Sequence, residues 1–166
     1  MKFFIPIFAA AVVALAPAAH SQQASSPRVV VDYLQPDNFT DVSSGMRGDY
    51  LDEIKRHVQQ RAGAYVPQGQ RLAVTITDVD MAGRIEPWQN SQANVRIVRD
   101  VYPPRIALTF KLADADGAVL KQGGRELRDL TFMQNTAANR SGSLRYEKTL
   151  LDNWLQHEFA NHASPR

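Results

Sequence analysis

The chain of 166 residues contains no cysteine. This absence excludes disulfide bonds, thiolate metal sites, a cysteine nucleophile and a lipid anchor attached through cysteine. The sequence also lacks the G-x-S-x-G pattern of an α/β-hydrolase nucleophile elbow. A domain of this length buries enough apolar surface to fold without covalent cross-links. The first conclusion is therefore negative: functions that need a reactive thiol or a disulfide framework are excluded.

An excess of either charge is also missing. Lys and Arg number 19 and Asp and Glu number 17, which gives a formal net charge of +2 at pH 7. A field this weak argues against nucleic acid as a partner and against general binding to anionic membranes. The cations are nevertheless mostly Arg, the better bidentate partner for carboxylate and phosphate. Codon usage in a GC-rich genome would produce the same bias.

Long hydrophobic runs are absent except near the start of the chain. Lys2 is followed by an apolar segment at residues 3–16 and then by small residues up to Ser21. The run is shorter than the roughly 20 residues that span a bilayer. It therefore predicts a cleaved signal peptide at residues 1–21, with no transmembrane segment after cleavage. We expect a disordered leader at residues 22–27 and a single α+β domain at residues 28–162, exported to the periplasm or secreted, and monomeric.

The clearest strand begins at Arg71. Leu72, Val74 and Ile76 alternate with small or polar residues, which is the period-2 pattern of a half-buried strand. If the alternation continued, Asp78 and Asp80 would lie on the core face, where an unpaired carboxylate costs several kcal/mol. The strand must therefore bulge, twist out of the sheet or end before these aspartates.

The same periodicity places the other elements around this strand. Strands are predicted at residues 28–33, 94–102, 105–112 and 118–129, with a hairpin turn at 114–117 and a bulge at Gly123-Gly124. Helices are predicted at 48–62 and at 144–159, the second capped by Ser143. The resulting order, β-α-β-β-β-β-α, is typical of an α+β two-layer sandwich. We expect a mostly antiparallel sheet of four to five strands with both helices on one face.

Asp78 and Asp80 are the candidate metal ligands. Two carboxylates one residue apart at a strand end can chelate Ca²⁺ or Mg²⁺, with Asp100 or Asp129 completing the site. A two-carboxylate hydrolase would also need a partner with a shifted pKa. The favoured alternative is that both aspartates accept backbone N–H bonds in the turn before Gly83. We accordingly predict no catalytic residue, no cofactor and no metal site.

A second group of residues suggests binding. Trp88, Arg96, Arg99, Tyr102 and Arg105 lie in or beside the predicted strands and the polar loop that precedes them. Strand alternation would place Arg96 and Arg105 on the outer sheet face, where they could receive an anionic glycan, a lipid headgroup or an acidic loop of an envelope protein. The alternative is a solvated face with cross-strand ion pairs.

Several stretches taken together resemble one family. They are F-T-D-V at residues 39–42, T-D-V-D-M-A-G at 77–83, V-R-I-V-R-D-V-Y-P-P-R-I at 95–106, and the Y-E-K-x-L-L-x-x-W pattern at 146–154. These resemble a family of small exported proteobacterial proteins of unknown function, over nearly all of the mature chain. The resemblance implies a periplasmic or secreted single domain and carries no catalytic or binding residues. The element order also resembles small α+β domains of envelope-assembly lipoproteins.

The leading hypothesis is a non-enzymatic binding or envelope-accessory domain. It would contact its partner through the outer sheet face and the loop at residues 81–93. The alternative is a metal-dependent hydrolase or metal-binding protein that uses Asp78 and Asp80. A purely structural domain without a specific ligand is a third interpretation.

Overall fold

A computed structural model describes residues 27–41, 47–86, 96–135 and 142–160, with side chains in the second range from residue 49. The predicted signal peptide lies outside the described residues. The order of elements agrees with the prediction, with one two-residue strand added at Arg84–Ile85. The elements are β1 (Val29–Tyr33), α1 (Arg47–Ala62), β2 (Arg71–Asp80), β3 (Arg84–Ile85), β4 (Arg96–Ile97), β5 (Arg105–Ala113), β6 (Val119–Arg128) and α2 (Arg145–Phe159), with short 3-10 turns at Pro36–Asn38 and Phe132–Gln134.

The main sheet has four strands in the order β1-β2-β5-β6, and β3 and β4 form a separate two-stranded sheet. β1 runs parallel to β2, whereas β5 is antiparallel to both of its neighbours. The sheet is therefore mostly antiparallel, and the predicted α+β class is confirmed. β2 lies at its centre and pairs with both β1 and β5.

Both helices pack on one face of this sheet. The core side contains the alternate apolar residues of the central strands, such as Ile76 and Leu108, which are fully or almost fully buried together with Ile54 of α1 and Leu155 of α2. The opposite face carries smaller and polar side chains that remain accessible to solvent. Among the helices of the described ranges, none has the length and hydropathy required to cross a membrane.

A bulge resolves the conflict at the end of β2. Ile76 pairs with Leu108 and Asp78 pairs with the next residue, Ala107, so that Thr77 is the extra residue. Because one inserted residue reverses the alternation, Val79 enters the core while Asp78 and Asp80 point to the open face. The predicted interruption of the strand is confirmed.

Two strand predictions were wrong in detail. Of the strand expected at residues 94–102, the described part is extended only at Arg96–Ile97, and a turn closed by the Tyr102 N–H and the Arg99 carbonyl follows. Gly123 and Gly124 pair regularly with β5, and the bulge in β6 lies instead at Leu120. Gly123 leaves room for a neighbour, since a Cβ there would stand 2.9 Å from Nη1 of Arg125.

The predicted Ser143 cap was also wrong. Leu144, with a φ of 57°, precedes α2, and no side chain caps the helix. The Ser143 hydroxyl instead donates to both carboxylate oxygens of Glu53 on α1, at 2.9 and 2.8 Å. A contact between the helices thus replaces the expected local cap.

Candidate functional site

The candidate site is built around the turn that leaves β2. The chain reverses at Gly83, whose φ is +81°, and a Cβ at this position would lie 2.5 Å from the carbonyl oxygen of Ile97. Both the backbone conformation and this close approach require glycine. The turn brings β3 against β4 and places Arg84 beside the end of the main sheet.

Asp78 attaches the loop after β1 to this end of the sheet. One carboxylate oxygen accepts the backbone N–H of Thr40 at 2.7 Å, and the other accepts the Thr40 hydroxyl at 2.9 Å. The second oxygen also pairs with Nη2 of Arg105 at 2.6 Å. Asp78 therefore accepts a backbone N–H as predicted, but from a distant loop rather than from the turn before Gly83.

Asp41 makes a second attachment, which the sequence analysis missed. Its two oxygens receive the two terminal nitrogens of Arg96 at 2.7 and 2.6 Å, and it accepts the backbone N–H of Met81 at 3.1 Å. Arg96 also donates to the Gly83 carbonyl at 2.6 Å. This position differs from the predicted one, because β4 pairs with β3 and is not part of the main sheet.

Glu147 makes a third attachment from α2. Its side chain is buried and accepts the backbone N–H of Ala82 at 2.7 Å. Burial raises the pKa of this carboxyl group, and the hydrogen bond from Ala82 opposes that effect. Residues from all four stretches that carry the family resemblance therefore meet at one turn.

A polar pocket of about 270 Å³ opens beside the turn, and we call it the arginine pocket. The residues that matter for its chemistry are Thr40, Asp80, Arg84, Tyr102, Arg105 and Arg128. Strand register explains how three of them meet: Asp80 pairs with Arg105 across β2 and β5, and Arg105 pairs with Arg128 across β5 and β6. Residues opposite one another in a ladder share a face, so these side chains form a row on the open face.

The charges of the arginine pocket are unequally compensated. Arg105 pairs with Asp78 and also lies 3.8 Å from Asp80 and 3.7 Å from Glu126. Arg84 stacks over the Tyr102 ring, 5.1 Å from its centroid. Arg128 is exposed, and no described residue forms an ion pair with it. The pocket therefore holds one well-neutralised guanidinium and two that face solvent.

Asp80 is the carboxylate of the arginine pocket with the weakest pairing. Its only ion-pair contact within the described residues is the 3.8 Å approach of Arg105 Nε, and none of those residues donates a hydrogen bond to it. Burial and then the nearby Asp41 carboxylate raise the pKa of Asp80, and Arg105 counteracts this only in part. Asp80 thus retains acceptor capacity that points into a polar space.

The predicted binding residues separate into groups. Tyr102 and Arg105 line the arginine pocket, and Arg96 supports the turn behind it. Arg99 pairs with the buried Glu86 at 3.1 Å and does not line the pocket. Trp88 lies outside the described residues.

The sequence patterns did not predict Arg84 and Arg128 as residues of the site. Strand alternation within 118–129 could have placed Arg128 on the outer face, but its position opposite Arg105 depends on the register of the two strands. Arg84 follows a turn whose path the sequence did not indicate.

Asp78 and Asp80, the candidate metal ligands, both lie against the side chain of Arg105. The guanidinium of Arg105 contacts both Asp78 and Asp80, so a divalent ion shared by these carboxylates would have to displace it. No group of three or more His, Asp or Glu side chains in the described ranges is arranged to hold a metal.

A second cavity, of about 380 Å³, lies between the helices. His57, which a surface position on α1 would leave exposed, is largely covered here and bonds through Nε2 to Asp152 of α2 at 2.9 Å. Burial lowers the pKa of His57, although the Asp152 charge opposes that effect. Arg61 also pairs with Asp152 at 2.9 Å. Because these charges are mutually satisfied, we interpret this cavity as part of the helix–helix contact.

Comparison with known proteins gives one family and one distant structure. The model of a family described as "Protein of unknown function (DUF3016)" matches residues 27–157. No match to a curated protein is significant. Among solved structures, a PelC dodecamer from Paraburkholderia phytofirmans is similar, with 15% identity and a TM-score of 0.38, over 78% of this chain and 83% of that chain. A likeness of this size says nothing about the ligand of this chain.

Proposed function

The chain belongs to the DUF3016 family of proteins of unknown function, and we propose that this member is an exported, non-enzymatic binding domain. Its arginine pocket would hold an anionic group of an envelope partner. Export is supported by the signal-peptide pattern of residues 1–21. Binding is supported above all by one observation: Arg128, without an ion pair to any described residue, stands directly opposite Arg105 on the open sheet face.

Like charges opposite each other in a ladder repel, whereas an anion between cationic groups is stabilised by charge-assisted hydrogen bonds. Asp78 already neutralises Arg105 at 2.6 Å. Arg128 and Arg84 therefore supply the donors that remain for a ligand. Arg84 is held against Tyr102, so less conformational freedom is lost when it binds.

The arrangement of the carboxylates favours binding over two-carboxylate hydrolysis. Both oxygens of Asp78 already accept hydrogen bonds from Thr40, and one also contacts Arg105. The site consequently presents one free carboxylate, Asp80, rather than the pair that general acid–base chemistry on a glycosidic bond needs. Asp78 instead holds the loop that forms one wall of the pocket.

The first experiment is a titration of the mature protein with inorganic phosphate as a simple anionic probe, followed by NMR or calorimetry. We expect Arg128→Gln to weaken phosphate binding by about tenfold, the effect of losing one charge-assisted hydrogen bond. Arg71→Gln is the matched control, since Arg71 is also exposed on β2 but at the opposite end of the sheet. Equal losses in the two variants, or no phosphate binding by the wild type, would overturn the proposal.

A further inference from the structure

We infer that the anionic group held in the arginine pocket belongs to an acidic saccharide, a sugar ring that carries a carboxylate beside free hydroxyl groups. This inference rests on the proposed binding function and specifies its ligand. It depends on the juxtaposition of a weakly paired acceptor, Asp80, with the donors Arg84 and Arg128 in the same pocket.

Asp80 restricts which anions fit. A carboxylate in a partly desolvated site repels a ligand that is only negative and attracts one that brings hydrogen-bond donors. The side chain is 37% exposed, and Arg105 Nε approaches it no closer than 3.8 Å. The raised pKa of Asp80 agrees with a carboxylate whose charge is incompletely compensated. The ligand must therefore offer a donor next to its negative charge.

Few ligand classes meet both requirements. A phosphodiester has acceptors only, and a peptide carboxylate has no donor on the neighbouring carbons of its own side chain. An ammonium group would satisfy Asp80 but would be repelled by the surrounding guanidinium groups. A sugar acid places hydroxyl donors and a carboxylate on one rigid ring. Its hydroxyl groups can therefore donate to Asp80 while its carboxylate accepts hydrogen bonds from Arg84 and Arg128.

The remaining wall of the pocket suits a sugar ring as well. Val101, Tyr102 and Pro103 contribute apolar surface, and Val101 is 67% exposed. The C–H faces of a pyranose can cover such surface and remove it from water. The pocket volume of about 270 Å³ lies at the small end of the range for ligand sites. This space suits a single ring at the end or side of a glycan rather than a long stretch of polymer.

The test compares two probes on wild type and on Asp80→Asn: trigalacturonate, which has hydroxyls and carboxylates, and inorganic sulfate, which accepts hydrogen bonds but has no donor. Loss of the Asp80 charge relieves repulsion of both anions, so the informative quantity is the ratio of their affinities. If hydroxyl groups donate to Asp80, the affinity for trigalacturonate relative to that for sulfate falls by about tenfold in Asp80→Asn, because only the sugar has a hydrogen bond that loses its charge assistance. Asp116→Asn, in the exposed hairpin turn, should leave the ratio unchanged.

The contrary outcomes are distinguishable. An unchanged ratio in Asp80→Asn, with both probes bound more tightly, would show a simple anion site and overturn the saccharide inference alone. Neutral maltotriose binding as tightly as trigalacturonate would also overturn it, since the arginines would then be irrelevant. Failure of wild type to bind either anion would remove the proposed function itself. Equal melting temperatures of wild type and Asp80→Asn would verify that the variant is folded.

Discussion

Three carboxylates hold the candidate site together by accepting backbone N–H groups from distant parts of the chain. Asp78 accepts from Thr40, Asp41 from Met81, and Glu147 from Ala82. A carboxylate is a stronger acceptor than a neutral oxygen, but burying it costs free energy unless a cation is near. Asp41 and Asp78 each have an Arg partner at 2.6 Å. Glu147 has no such direct partner among the described residues.

We therefore predict opposite results for two substitutions at Glu147. Glu147→Ala leaves the Ala82 N–H unpaired and should lower the free energy of unfolding by about 2 kcal/mol or more. Glu147→Gln keeps an acceptor of the same shape and should remain within about 1 kcal/mol of wild type at pH 7. Urea unfolding of both variants measures these differences. A Gln variant as unstable as the Ala variant would show that the charge itself is needed.

The stability difference between wild type and Glu147→Gln should change with pH in a defined direction. Burial raises the folded-state pKa of Glu147. Its favourable contribution is therefore complete below the unfolded-state pKa of about 4.3 and is lost as pH rises through the folded-state value. From pH 4 to pH 7, Glu147→Gln should become steadily more stable relative to wild type. A Glu147→Gln variant that instead loses stability relative to wild type as the pH rises from 4 to 7 would contradict a raised pKa.

At the scale of elements, two backbone details position the pocket: the bulge at Thr77 and the turn at Gly83. The bulge turns Asp78 and Asp80 outward and Val79 inward. The turn lets β3 pair with β4, and the Gly83 N–H donates to the Tyr102 carbonyl at 2.9 Å. The bulge and the turn together place polar side chains at the end of β2, on the open face of the sheet.

Gly83→Ala tests the importance of that close approach, and Gly69→Ala is its control. Both glycines have nearly the same positive φ, +81° and +82°, but no described residue other than its chain neighbours lies within 4 Å of a Cβ at Gly69. The shared backbone penalty is about 1–2 kcal/mol. We expect Gly83→Ala to lose clearly more stability than Gly69→Ala and also to weaken phosphate binding. Thermal melts and the phosphate titration provide the two measurements, and equal melting temperatures would show that β4 can move aside without cost.

At the scale of the whole molecule, the helices cover one face of the sheet and leave the other open. The open face receives the charged row of Asp80, Arg105 and Arg128 at one end. A nearly neutral molecule thus carries a local concentration of guanidinium groups, which explains why its net charge of +2 did not indicate a site. Long-range steering of an anionic partner would be weak, and recognition would depend on contact in the pocket.

Native mass spectrometry of protein recovered from the periplasm tests the expectations for the whole chain. We predict a monomer whose first residue is Gln22, because Ala19-His20-Ser21 resembles the A-x-A pattern of a signal-peptidase site. The mass gives the processing site and the oligomeric state together. An intact N-terminus at Met1 would contradict export by a cleaved signal, and a stable dimer would contradict the predicted monomer. A retained sugar acid would identify the ligand directly.

The class and order of the elements could be predicted from the hydrophobic pattern of the chain. Each element buries one side, and this burial produces a periodic pattern in the sequence. The pattern is the alternation in β2 and β5 and the spacing of three and four residues in both helices. The sequence also showed that β2 had to be interrupted before Asp78, because two aspartates could not continue on the core face. Arg105 of the candidate site could be predicted from the alternation in β5, whereas Tyr102 lies in a turn within the segment that was predicted as a strand.

The contacts between distant residues depend on how the elements pack in the folded chain. The partners Asp41 and Arg96 are separated by 55 positions, and Ala82 and Glu147 by 65. The opposition of Arg105 and Arg128 depends on strand register and on a bulge at Leu120. None of these contacts leaves a periodic signal, since each is fixed by how the elements pack and not by the local chain. The elements could be predicted from sequence because burial acts on every residue in turn, whereas the pocket required the packed fold.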